Sequence, residues 1–133
     1  MANLVYNTYK ENTLLGHIDL NNDTLKVALV TSSYIADPDH TSFTNEVAGT
    51  GYTAGGATLV NTAVTKDDIN DKAFLDADDV TWATSTITAR GAVIYKDDTP
   101  DILIAYIDFT SDKSSTAGDF TIQWNAAGII QLS

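Results

Sequence analysis

Sixteen of the eighteen acidic residues in this chain are aspartate; only Glu11 and Glu46 are glutamate. Aspartate favours turns and helix caps and is a poor helix former, whereas glutamate is a good one. Threonine, whose branched side chain suits a pleated surface, is abundant as well. The bias directs the chain toward strands joined by aspartate-rich turns. Its 133 residues, 44 % of them hydrophobic, are enough for one domain spanning 1–133 with its own core.

The apolar pattern agrees. Leu25, Val27 and Leu29 alternate with Lys26, Ala28 and Val30, and Val80 and Trp82 alternate with Thr81 and Ala83. A longer strand covers 87–95 and ends at the turn 96–100. Residues 102–109 are apolar on both faces, as in a central strand covered on each side. Phe120, Ile122 and Trp124 alternate again, and 127–132 close the chain as a short strand. Between these, 32–43 read as a long exposed loop, and Gly49, Gly51, Gly55 and Gly56 mark bends within 47–60. The one helix is expected over 3–15, capped by Asn3 and stopped by Gly16. Val5, Tyr6, Tyr9 and Thr13 share its inner face, while Leu14, Leu15 and Ile18 pack at its end. It lies on the sheet or serves as an arm on a neighbouring subunit. The expected fold is mainly β: an antiparallel β-sandwich or jelly-roll-like barrel with one N-terminal α-helix. The expected core is Leu25, Val27, Leu29, Val80, Trp82, Val93, Ile104, Ile107, Phe120, Ile122 and Trp124.

Composition removes several classes of function. Seven basic residues against eighteen acidic ones give a formal charge of −11, a field that repels nucleic acid and anionic lipid. Arg90 is the only arginine. There is no cysteine, so disulfides, thiol nucleophiles and iron–sulfur sites are excluded. No apolar run approaches the ~20 residues of a membrane helix. The N-terminal residues carry neither a basic region nor an apolar core, so export by a signal peptide is not expected.

Candidate chemistry is sparse. The histidines are His17 and His40, the latter beside Asp37 and Asp39, with no G-x-S-x-G motif to supply a nucleophile. The pairs Asp67-Asp68, Asp78-Asp79 and Asp97-Asp98 read as solvated turns, not as two acids across a sugar. Asp19, Asn21 and Asp23 open like a calcium loop, but Thr24 replaces its glycine and Val30 its closing glutamate. Asp76, Asp78 and Asp79 form a second weak cluster, and Gly49-Thr50-Gly51 lacks the ending of a phosphate loop. No catalytic residue, cofactor site or metal site is expected. A carbohydrate- or receptor-binding module is the competing class. It requires Trp82, Trp124, Tyr34 or Tyr52 to be exposed as a stacking platform, whereas their alternation places both tryptophans in the core.

A set of motifs, in order along nearly the whole chain, resembles a family of small structural proteins of tailed bacteriophages. They are 2–7, 25–34, 45–47 with 49–57, Phe74 with 76–82, 86–96, and Phe120-Thr121-Ile122-Gln123-Trp124-Asn125. The resemblance implies a virion component, and the expected role is that of a capsid decoration (cement) protein on the outer capsid surface, made in the host cytoplasm. Neck and tail positions stay open. Its partner would be the major capsid protein, and a homo-oligomer is expected, with a trimer as the expected form because capsid seams offer threefold positions. No contact with nucleic acid or membrane is expected. The expected contact residues lie outside the strand pattern: Leu4, Tyr6 and Tyr9, with Tyr34, His40 and Phe43 of the 32–43 loop.

Overall fold

A computed structural model describes residues 2–133. It is mainly β, with antiparallel sheets and one short helix. In chain order the elements are β1 (Leu4–Val5), α1 (Asn7–Leu14), β2 (Leu25–Val30), β3 (Ala57–Thr58), β4 (Ala63–Asp67), β5 (Lys72–Asp76), β6 (Val80–Lys96), β7 (Ile102–Ile122) and β8 (Ile130–Leu132). One sheet has the order β1-β7-β6-β2-β3 and the other β4-β5-β8.

The two long strands, β6 and β7, form an antiparallel ribbon whose halves differ. In the inner half both faces are apolar. Leu25, Val27, Leu29, Ala92, Ile94 and Ile104 belong to a core shared with Leu75 and Ile130 of the smaller sheet, with Ile129 just before β8 and with Tyr9 of α1. Ala28, Val30, Val93, Tyr95, Leu103 and Tyr106, on the opposite face, form a second core with Tyr6 and Tyr34. A bulge reconciles the strands: Ile94 pairs with Ala105 and Tyr95 with Leu103, so Ile104 has no partner and turns into the first core.

In the outer half only one face is covered. Val80, Trp82, Ser85, Ile87 and Ala89 are buried while the residues between them are exposed, the period-two signature of a one-sided strand. A register break separates the halves, with Ala89 opposite Lys113 and Gly91 opposite Asp108, so that residues 109–112 are extruded. The loop 48–56 lies against the edge of β6, where the Thr86 N–H donates to the Thr50 carbonyl at 2.9 Å. Glu46 anchors that loop: its Oε2 accepts from the Tyr52 hydroxyl at 2.6 Å and the Gly55 N–H at 2.7 Å. The Tyr52 hydroxyl in turn accepts from the Leu29 N–H at 2.9 Å. Gly56 (φ +81) packs against the Val27 carbonyl, where a side chain would collide with backbone.

Several expectations are corrected. The helix begins at Asn7, not Asn3, because Leu4 and Val5 pair with Tyr106 and Ala105 as an edge strand. Asn3 caps nothing; its Oδ1 accepts from the Asp108 N–H at 2.8 Å. Gly16 (φ +76) does stop the helix, but Leu14 and Leu15 beyond its packed face are exposed. Tyr6 and Tyr9 do not share one environment, since Tyr6 enters the second core and Tyr9 the first. The segments 102–109 and 120–122 are one strand, continuous through the polar stretch 113–119. Of the expected core, Ile107 and Trp124 are only half-buried. Trp124 lies past the end of β7, its indole N–H donating to the Asp78 carbonyl at 2.8 Å. The β4–β5 hairpin and β1 had no counterpart in the expected pattern.

The ribbon's tightest point is Gly91, where an added Cβ would meet the Tyr106 hydroxyl and, at 2.7 Å, the Ile107 carbonyl. Gly91→Ala is expected to cost about 2–4 kcal/mol, because one of the opposing atoms is backbone. Gly118→Ala, which meets nothing closer than 3.6 Å, is the matched control and should melt like the parent. Thermal unfolding of the two variants side by side checks this; equal Tm values would refute the packing.

Candidate functional site

The N-terminal segment and the 32–43 loop, far apart in sequence, are brought together over the second face of the main sheet. The Asn7 N–H donates to the Pro38 carbonyl at 2.8 Å, and Asn7 Nδ2 donates to Asp39 Oδ1 at 2.6 Å. Beneath this clasp the Tyr6 and Tyr34 hydroxyls are 2.8 Å apart, and the Tyr34 hydroxyl lies 3.1 Å from His40 Nδ1. The Tyr34 ring packs edge-on against Tyr106, and Phe43 packs against Tyr95. The loop runs over an apolar sheet face and supplies the rings that keep water off it.

This placement sorts the expected contact residues. Tyr6 is 0 % exposed, and Tyr9 and Tyr34 are also buried, so their side chains hold the fold and are not presented to a partner. Leu4, His40 and Phe43 are half-buried. What the clasp does present is Ile35, which is 76 % exposed. Ile35 stands beside a groove of about 360 Å³ lined by Leu4, Ala36, Tyr106, Arg90 and Asp108, among others. Arg90 sits at the register break; its Nε donates to Asp108 Oδ1 at 3.1 Å. The Thr110 N–H and then the Arg90 guanidinium hold the Asp108 carboxyl below the usual carboxylate range. Arg90 and Ile35 escaped the sequence reading, one as a lone charge in a strand and the other as a lone apolar residue in a polar loop. The available signal was that Arg90 is the sole arginine of a strongly acidic chain.

The other candidates are dispersed. Asp19 accepts from the Asn21 N–H and from Asn22 Nδ2, which hold its carboxyl below the ordinary value. Asp23 Oδ2 accepts from the Asp19 N–H at 2.7 Å and lies 3.2 Å from Lys96 Nζ. The loop's own amides and a lysine therefore occupy these carboxylates. Asp76, Asp78 and Asp79 turn to three different partners: the Ala77 N–H, Asn61 Nδ2 and the Trp124 N–H. Among the described residues, no group of three His, Cys, Asp or Glu side chains is arranged to hold a metal ion. His17 Nδ1 lies 3.1 Å from Asn12 Oδ1. Of the four aromatics considered for sugar stacking, Trp82 and Tyr34 are buried, and Tyr52 is half-buried with its hydroxyl engaged. Trp124 borders a groove of about 520 Å³ together with Phe109, Phe120, Lys113, Asp119 and Gln123.

No family model, no curated protein and no solved structure matches the chain.

Burial leaves a titration signature. Desolvation pushes the hydroxyls of Tyr6, Tyr34, Tyr52 and Tyr106 above their ordinary value of 10.0. Tyr95, desolvated and facing Asp101, is raised to about 12. A phenol whose folded pKa exceeds its unfolded one gives stability that is complete below the unfolded value and is lost as pH rises through the folded one. Stability should therefore fall from pH 10 upward, and most tyrosine absorbance change should coincide with loss of structure. A spectrophotometric titration run beside circular dichroism tests this; full tyrosine ionisation in a still-folded protein would contradict the burial described.

Proposed function

We propose that the protein is a virion structural protein of a tailed bacteriophage that acts through contact, as a capsid decoration protein on the outer surface of the major capsid shell. The sequence support is the ordered run of motifs, covering most of the chain, that resembles such proteins. The single structural observation that carries the reading is the surface assembled from Leu4 and the 32–43 loop. There an exposed Ile35 and a groove with one arginine stand on an otherwise acidic protein. An exposed apolar side chain next to an arginine is a common composition for the centre of a protein contact.

In this role the protein binds only the assembled shell, so its binding free energy adds to shell stability by mass action. The acidic surface suits a particle that must not adhere to free nucleic acid. A homo-oligomer, with a trimer as the leading arrangement, matches the threefold positions of a shell. A carbohydrate- or receptor-binding role is the second reading, favoured by one observation: the half-buried Trp124 lines an open groove with Phe109.

Imaging the particle assembled by the genome that encodes this chain tests the reading. Density for it is expected on the capsid exterior; density in the tail alone would defeat the decoration role. Deleting the whole 34–42 loop would strip Tyr34 from the core, so the variant of choice is Ile35→Asp. Capsid occupancy is expected to fall about tenfold or more with an unchanged Tm, the loss of one buried apolar anchor. Undiminished occupancy would remove this surface from the contact.

A further inference from the structure

The groove of about 520 Å³ lies along β7, between Phe109 and Trp124. Its apolar lining, Ile107, Phe109, Phe120, Ile122 and Trp124, belongs to the first core or packs against it. Tyr106 and Asp108 alternate with Ile107 and Phe109 along the strand and line the groove beside Ile35 instead. The two grooves therefore lie on opposite faces of β7.

The aromatic part is fixed in advance. The Trp124 backbone N–H donates to Asp79 Oδ1 at 3.0 Å, and its indole N–H donates to the Asp78 carbonyl at 2.8 Å. The polar edge of the indole is thus engaged within the fold, and what the ring offers the groove is carbon surface. Phe109 packs on Phe120 with ring centroids 6.4 Å apart, and Phe120 meets Trp82 edge-on at 6.1 Å. Rings held in this way lose little entropy when a ligand arrives. The polar part is not engaged. The Ser114 and Thr121 hydroxyls bond to Thr88 and Thr81, and Asn125 Oδ1 accepts from the Ala127 N–H. By contrast, the exposed side chains of Lys113, Asp119 and Gln123 have no hydrogen bond or ion pair among the described residues. An apolar pocket of this size with a few converging polar groups is the usual form of a small-ligand site.

We propose that this groove binds a neutral saccharide. The C–H face of a pyranose packs on the Trp124 and Phe109 rings. Its hydroxyls donate to the Asp119 carboxylate and accept from Lys113 Nζ, and the Gln123 amide serves a further hydroxyl as donor or acceptor. The two halves of the lining select this class. An acyl chain would cover Lys113, Asp119 and Gln123 without giving them partners. An anion would face Asp119 on a chain of net charge −11. The inference rests on the carbohydrate- or receptor-binding reading and names its ligand class and contacts. It leaves the Ile35 surface free for the shell, because that surface is on the other face of β7.

Passing the full chain over immobilised neutral oligosaccharides of glucose, galactose, mannose and N-acetylglucosamine, beside sialylated and sulfated ones, tests this. Retention on at least one neutral sugar is expected, and the same sugar free in solution should change the tryptophan fluorescence. Trp124→Phe should abolish that change while Trp82 continues to emit. Asp119→Asn and Gln123→Ala should each weaken binding about tenfold with an unchanged Tm. Ile35→Asp should bind the sugar like the parent. Retention on no neutral sugar, or retention that survives both Asp119→Asn and Trp124→Phe, overturns the proposal. Adhesion to host cells separates this failure from failure of the broader reading. A chain that adheres through Trp124 but ignores every neutral sugar keeps the receptor role and defeats only the saccharide site. A chain that binds the sugar but no cell keeps the site and defeats only the receptor role.

Discussion

The structure depends on the antiparallel pairing of β6 with β7, and above all on the fact that its inner half is apolar on both faces. A strand pair of that kind cannot be left half in water. Each face needs a cover, and the chain supplies two of different kinds. The smaller sheet closes one face with Leu75 and Ile130. The other is closed by tyrosines carried on irregular backbone, Tyr6 at the entrance to α1 and Tyr34 in a polar loop. Burying a phenol requires a partner for its hydroxyl, and the Tyr6–Tyr34–His40 chain meets that requirement. The clasp between the N-terminal segment and the loop thus follows from the sheet's own composition.

Much of this was legible in the residues. Alternation located β2, β6 and the ends of β7, and the double apolar face of 102–109 announced a strand covered on both sides. What escaped lacked periodicity. Lys113-Ser114-Ser115-Thr116-Ala117-Gly118-Asp119 has the composition of a turn and is strand only because β6 supplies its partners. Leu4 and Val5 are too short a strand to show a pattern, and Asn3 in front of them imitates a helix cap. Tyr34 is a single ring in a polar stretch; its burial follows from the exposed face that needed a lid, which one sequence does not display. For the same reason the place of Arg90 in the groove was not legible, since the register break that brings it there is a tertiary event.

The aspartates also serve a purpose beyond turn formation. Asp19, Asp67 and Asp108 each accept from neighbouring N–H groups, and Asp23 and Asp98 approach Lys96. Local donors thereby absorb part of a large negative charge, which limits the self-repulsion that a net charge of −11 imposes on a compact chain.

The pairing of β1 with β7 has a temporal consequence. Leu4 and Val5 bond to Tyr106 and Ala105, about a hundred residues further along the chain. On the ribosome Leu4 and Val5 emerge long before their partners exist, and Tyr6 has no face to cover until Tyr106 and Leu103 arrive. Closing so long a loop is slow relative to forming the local β6–β7 ribbon. Leu4, Val5 and Tyr6 therefore wait, solvated, and dock only after the segment that carries Leu103 to Tyr106 has been made.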